Sequence, residues 1–121
     1  MAHRDPDIEK SLHDLAERQH GVVARRQADE LGLPRSGWRS RMQGDDWELL
    51  TPRVARRRGS VDDDGQQAKA ALLDAGPDAF LARESAAFLW GVPGYRLHPI
   101  HVVNPRRLVT SPLAIVHRPC L

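Results

Sequence analysis

The chain has 121 residues, which is the size of one ordinary domain or two very small ones. A hydrophobic fraction of 40% and a formal net charge of +2 fit a globular protein and exclude a low-complexity chain. The single cysteine, Cys120, excludes a framework of internal disulfides, and no apolar run approaches the length of a membrane span. Because the N-terminus also lacks the apolar segment of a signal peptide, we expect a cytoplasmic protein without membrane contact.

The positive charge is concentrated in one segment of the chain. Sixteen of the eighteen basic residues are arginine, and the span from Arg18 to Arg58 holds ten arginines against five acids. A basic segment in a nearly neutral chain favours a surface that faces a polyanion. The guanidinium fork suits phosphates and guanine edges better than lysine does, although a preference for arginine codons would give the same composition.

Two amphipathic helices are predicted at the start of the chain. The first begins at Ile8 and ends near Gln19, where His20-Gly21 stops it. The second runs from about Arg25 to Leu31, and Ala24 before it offers no side-chain acceptor to the first helical amides. Gly32, Leu33 and Pro34 then form a turn.

The third predicted helix spans about Arg35 to Gln43 and has two different faces. Trp38 and Met42 are one turn apart and face inward. The outward side chains are Arg35, Ser36, Arg39, Ser40 and Gln43. Side chains of these types reach phosphates and base edges, so this helix is predicted to be a recognition helix. Arg39 is central on that face and is the candidate for reading a base, whereas Arg35 and Ser36 are placed to hold a phosphate.

A two-stranded ribbon is predicted to follow the third helix. Its strands are Trp47 to Leu50 and Arg53 to Arg56, joined at Thr51-Pro52. Turn, helix and ribbon in this order are typical of a winged helix-turn-helix, in which the ribbon contacts the DNA backbone or the minor groove. The candidate DNA contacts outside the third helix are Arg25, Arg26, Arg53, Arg56, Arg57 and Arg58.

The predicted fold is therefore α+β, with a winged helix-turn-helix at residues 8–60 followed by a small helix-helix-strand-strand unit at 65–121. The polar segment from Ser60 to Gly65 is the predicted boundary. The second unit is predicted to have helices at 66–75 and 84–90, and strands at 80–81, 100–103 and 113–116. We expect it to serve dimerisation or partner contact. Trp38, Trp47 and Trp90 are all predicted to lie in the core.

Four segments of the chain carry a family resemblance. They are RQHGVVARRQADELGLPRSGWRSRM, AALLDAGPDAFLARESAAFLWGVPG, HVVNPRR and VHR. From about Leu12 to Arg118 the chain resembles the N-terminal part of the AbiEi-type antitoxins of type IV toxin–antitoxin systems. Relatives in actinobacteria carry the same region fused to a very-short-patch-repair-like endonuclease domain. The resemblance implies a winged-helix repressor of its own operon, with a cognate toxin as partner, a recognition helix at Arg35 to Gln43 and a wing at Trp47 to Arg58.

Sequence-specific binding of double-stranded DNA is thus the expected function, and a homodimer is one assembly that the second unit could form. Two alternatives remain open: a DNA-targeting N-terminal module of a longer nuclease-like protein, and a protein–protein adaptor that uses the winged-helix fold without DNA. We expect no enzyme activity and no cofactor, because the sequence contains no phosphate-binding loop, nucleophile elbow or metalloprotease motif.

Four residues near the C-terminus are candidate zinc ligands. They are His98, His101, His117 and Cys120. Their spacing resembles that of zinc ligands. However, His98 and His101 differ by an odd number of positions beside a predicted strand, where side chains alternate between faces. The prediction is therefore structural histidines and no metal at these four residues.

Overall fold

The computed structural model describes residues 6–119. Within that range the protein contains five helices and two three-stranded sheets, which confirms the predicted α+β class. The chain divides into two compact units, one ending at Asp62 and the other beginning at Asp63. No helix in the described range is both long and apolar enough to cross a bilayer.

The first unit has six elements. They are α1 (Pro6–Arg18), β1 (Val22–Ala24), α2 (Arg25–Glu30), α3 (Arg35–Met42), β2 (Trp47–Thr51) and β3 (Val54–Arg57). The strands form an antiparallel sheet in the order β1-β3-β2, so β3 is paired on both sides. The hairpin turn is Pro52-Arg53 rather than the predicted Thr51-Pro52. Thr51 stays in β2 and its Oγ1 accepts the amides of Arg53 and Val54, each at 3.1 Å.

The core of the first unit lies where its helices pack on the sheet. Its buried members are Leu12, Ala16, Val23, Ala28, Leu33, Trp38, Trp47 and Ala55. Trp38 and Trp47 are 5% and 1% exposed, which confirms both as core residues. Aromatic side chains bury more apolar area than any others, so these two supply a large share of the packing energy.

A pair of glutamines joins the end of α1 to the start of α2. The side-chain amides of Gln19 and Gln27 donate to each other's oxygens at 2.9 and 2.8 Å. Gln19 Nε2 also donates to the carbonyl of Val22 at 3.0 Å, and Gln27 Oε1 accepts the amide of Ala24 at 3.0 Å. Ala24 provides no side-chain cap, as predicted, but the Gln27 side chain satisfies its amide and fixes the entry into α2.

An ion pair fixes α3 against α1. Arg41 is 7% exposed, and its Nε and Nη2 lie 2.7 and 2.6 Å from Oε2 of Glu9. Its Nη1 donates to the carbonyl of Gly37 at 3.2 Å. Arg41 is one of the ten arginines of the basic segment from Arg18 to Arg58. Because it is buried, it does not contribute to a basic surface. Burial raises the pKa of Glu9, but the hydrogen bonds and positive charges of Arg41 and His13 outweigh it and leave that pKa below its ordinary value.

The second unit has five elements. They are α4 (Asp64–Ala75), β4 (Phe80–Leu81), α5 (Arg83–Leu89), β5 (His101–Val103) and β6 (Ile115–His117). The sheet order is β4-β5-β6, with β4 antiparallel and β6 parallel to β5. The core consists of Ala68, Ala71, Ala75, Leu97, Ile100 and Val102. The prediction that Trp90 is a core residue is wrong. Because α5 ends at Leu89, Trp90 is the C-cap and is 85% exposed.

Glu9→Gln is expected to lower the free energy of unfolding at neutral pH and to flatten its acid dependence. The folded-state pKa of Glu9 lies below 4.5, so the ion pair stabilises the fold above that value and is lost as the pH falls through the lower folded pKa. We expect a loss of about 2–3 kcal/mol at neutral pH, because the buried Arg41 loses its counter-charge while the amide oxygen of glutamine can still accept a hydrogen bond from it.

Urea unfolding across that pH range, with a chelator present, measures the effect. Glu17→Gln is the matched control, because Glu17 lies on the same helix and is exposed. An unchanged acid dependence in Glu9→Gln would contradict the stabilising role of the pair.

Candidate nucleic-acid interface

The outer face of α3 is open to solvent along its whole length. All five residues predicted for this face are exposed: Arg35, Ser36, Arg39, Ser40 and Gln43. At helical spacing they lie within an arc of about 140°. Trp38 and Arg41 occupy the opposite side and are buried. Within residues 6–119 the side chains of the five make no hydrogen bond or ion pair, so their polar groups are available to a ligand.

The turn before α3 sets the angle at which that face is presented. Gly32 has a φ of +97°, a conformation that residues with a side chain rarely adopt. The amide of Leu33 then returns to the carbonyl of Ala28 at 2.9 Å. Pro34 is the N-cap and supplies no side-chain acceptor. The first amides of α3 are thus uncapped by a side chain beside Arg35, which favours an anion at this end.

The start of α2 and the tip of the hairpin lie together. Arg25 is exposed and Arg26 half-buried, and the amide of Arg25 donates to the carbonyl of Arg53 at 2.8 Å. The three arginines predicted as contacts in these two elements therefore share one edge of the unit. The backbone hydrogen bond between Arg25 and Arg53 fixes their place on this edge.

The hairpin is an integral part of the sheet and does not project beyond it. Val54, Ala55 and Arg56 are each paired with β1 on one side and with β2 on the other. Only the turn residues Pro52 and Arg53 lie past these pairs. The ribbon therefore brings few residues towards a ligand, and α3 supplies most of the accessible polar surface of the predicted interface.

The run Arg56-Arg57-Arg58 lies at the open end of the hairpin. Its three side chains differ in the contacts that they make. Arg56 is half-buried, with Nη2 donating to the carbonyl of Ser60 at 3.2 Å. Arg58 pairs with Glu48 at 3.3 Å, both being exposed. Arg57 is exposed, and within residues 6–119 its guanidinium has no partner. Of the three, Arg57 is the most available to a phosphate.

Charge is unevenly distributed along α3. Arg35 opens the helix and Arg39 lies near its middle, whereas the exposed acids Asp45 and Asp46 follow its C-terminal end. Pairing with Glu9 also removes Arg41 from the positive surface. A polyanion is thus attracted to the beginning of α3 and repelled from its end.

In the second unit, His101 and His117, two of the four candidate zinc ligands, lie next to each other. His101 Nδ1 lies 2.9 Å from His117 Nε2 across the parallel strands, and the rings stack with centroids 5.2 Å apart. Partial burial, and then the charges of Arg83 and His101, lower the pKa of His117. Among the described residues no third ligand joins this pair. Cys120 lies outside the described residues.

The first unit thus has a cationic helix face on α3, and further arginines at the start of α2 and at both ends of the hairpin. Comparison of the sequence with protein-family models and with curated proteins gave no match. The resemblance to AbiEi-type antitoxins therefore stays a prediction, and the function has to be argued from the residues of this unit.

Proposed function

We propose that this protein binds double-stranded DNA in a sequence-specific manner, with α3 as recognition helix, and acts as a transcriptional repressor. One observation carries the proposal: the outer face of α3 holds two exposed, unengaged arginines, while Trp38 and Arg41 fix its inner face. A helix held in this way presents guanidinium forks in one defined orientation. That is the requirement for bidentate contact with guanine.

The charge distribution along α3 indicates how the helix enters the groove. Recognition helices contact base edges mainly with their N-terminal residues. Here Arg35 opens the helix and Arg39 lies near its middle, whereas Asp45 and Asp46 follow the other end. Arg39, central on the exposed face, reads a base in this arrangement. Arg35 and Ser36 hold a phosphate beside the uncapped helical amides.

Contacts to the DNA backbone come from the surrounding arginines. Arg25 and Arg26 open α2, which crosses the backbone in helix-turn-helix proteins. Arg57 is exposed, and within residues 6–119 its guanidinium has no partner, so it is available to a phosphate. Arg56 and Arg58 contribute less, since their guanidinium groups already contact Ser60 and Glu48. These contacts position the protein without reading sequence.

Exposed apolar side chains in the second unit support a role in protein contact. They include Leu89, Trp90, Val92 and Tyr95, with Trp90 the most exposed at 85%. Surfaces of this kind serve association. Dimerisation would place two recognition helices on half-sites about one helical turn apart. The resemblance to AbiEi-type antitoxins extends the proposal to repression of an operon that also encodes a toxin.

Arg39→Ala is expected to weaken binding to the preferred duplex and to relax specificity at one base pair. The preferred duplex is first selected from random sequences with the full chain, and mobility shifts then give the dissociation constants. Loss of one bidentate base contact costs about 1–3 kcal/mol, or roughly five- to 150-fold in affinity.

Arg39→Lys is the matched control, since it keeps the charge and loses the fork. If Arg39 reads a base, lysine fails to restore the lost specificity. Should selection enrich no sequence, and wild type and variants bind all duplexes equally weakly, the adaptor alternative is favoured and specific readout is wrong.

Arg57→Ala is expected to weaken binding to all duplexes alike and to reduce the salt dependence. One phosphate contact fewer lowers the slope of log affinity against log salt by about 1. Arg58→Ala is the comparison, because Glu48 already pairs with Arg58 and the expected change is smaller. Equal slopes for wild type and Arg57→Ala would show that Arg57 makes no phosphate contact.

A further inference from the structure

We propose that the first unit contains a binding site for a divalent transition-metal ion, formed by Glu9, His13 and Asp46. One potential ligand atom from each residue lies within 4.8 Å of the other two. Two ligands come from α1 and the third from the loop between α3 and β2. This site is separate from the histidine pair of the second unit, and it does not depend on DNA binding.

The two ligands on α1 are already oriented towards each other. Glu9 and His13 are four residues apart, so they lie on the same face of the helix. His13 Nε2 is 3.3 Å from Oε1 of Glu9. Arg41 contacts the other carboxylate oxygen, Oε2, so Oε1 faces His13 alone and an ion could replace the contact between them. Hydrogen bonding of a ligating carboxylate by a second group is the usual way in which proteins fix such ligands.

The third ligand closes the site from the opposite side. Asp46 is exposed, and within residues 6–119 its carboxylate has no cationic partner. The backbone carbonyl of Asp46 accepts the amide of Arg58 at 2.9 Å, which anchors the loop. The His13 ring packs against Trp47, the next residue along the chain, with ring centroids 5.3 Å apart. The loop and α1 are thereby held next to each other.

A cavity adjoins two of the three residues, Glu9 and Asp46, and gives an ion room for water ligands. Its volume is about 290 Å³, and it is lined by Glu9, Arg41, Gly44, Asp45, Asp46 and Trp47. The Nε1–H of Trp47 is buried without a hydrogen-bond partner in the described part of the chain. A buried N–H group without a hydrogen bond costs free energy, and an ordered water in the adjoining cavity could accept this one.

The donor set selects the class of metal. One imidazole nitrogen with two carboxylate oxygens suits Zn²⁺, Co²⁺ and related ions, whereas Mg²⁺ and Ca²⁺ prefer oxygen ligands alone. Three protein ligands leave at least one position for water. A bound ion would also offset the negative charge that follows α3.

The competing interpretation is an ion-pair network in which His13 lies between two carboxylates and binds no metal. A titration with Co²⁺ distinguishes the metal site from the ion-pair network. The full chain is first treated with a chelator, Co²⁺ binding is followed by visible absorption, and Zn²⁺ is then added to displace the Co²⁺. We expect one equivalent of Co²⁺ with ligand-field bands, and a Zn²⁺-dependent rise in Tm. Asp46→Asn and His13→Gln are each expected to weaken Co²⁺ binding by about tenfold or more.

Two controls make the assignment specific. Asp45→Asn removes a neighbouring acid that lines the same cavity but is not one of the three ligands, and it is expected to keep the affinity. His117→Asn removes one member of the histidine pair and is also expected to keep it. Absence of binding by the wild type, retained binding in Asp46→Asn, or loss of binding in either control would overturn the proposal. Asp46 is exposed, so its variant tests the site even if His13→Gln proves unstable.

Discussion

The ion pair between Arg41 and Glu9 determines which side of α3 faces solvent. A guanidinium group removed from water costs several kcal/mol unless it is paired and hydrogen-bonded. Arg41 meets that requirement through Glu9 and the carbonyl of Gly37, at the side of the helix where Trp38 also packs. Any rotation of α3 about its axis would break the ion pair between Arg41 and Glu9 and expose the indole of Trp38. The exposed position of Arg35 and Arg39 is therefore a consequence of how their neighbour is buried.

The rest of the first unit is fixed mainly through its backbone. The amide bridge between Gln19 and Gln27 closes the segment around β1, and β3 is paired along both edges. The arginines on α2 and in the hairpin are carried by these rigid elements. The guanidinium groups of Arg56 and Arg58 add contacts of their own, to the carbonyl of Ser60 and to Glu48. A site built on rigid elements loses less entropy when a ligand binds.

Much of the fold could be predicted because local signals agree with one another. Gly21, Gly32 and Gly44 mark helix ends, and the apolar spacing assigns Trp38 and Trp47 to the core. Arg41 could also have been placed: it follows Trp38 by three residues and so lies on the inward side. Its partner could not, because nothing in the local sequence links Glu9 to a residue 32 positions later.

Strand register was the other quantity that the sequence did not supply. The parallel pairing of β5 with β6 decides that His101 meets His117, and β6 begins two residues later than the pattern indicated. Trp90 shows the converse error. An apolar run was extended by one residue past the end of α5, and that residue is exposed. Side-chain clusters formed by residues far apart in sequence, such as Glu9, His13 and Asp46, are likewise visible only in three dimensions.

The acids at the end of α3 connect the two proposals physically. In the proposed complex, Asp45 and Asp46 would oppose a phosphate backbone at that end, so the end that begins with Arg35 would approach more closely. Charge on the short loop would thus help to set the direction in which the helix lies in a groove. A cation held by Asp46 would weaken the repulsion while tying the loop to α1. The bound cation would reduce the repulsion between Asp46 and the DNA phosphates. It would also restrict the motion of the loop that follows α3. Both effects would increase the affinity for DNA.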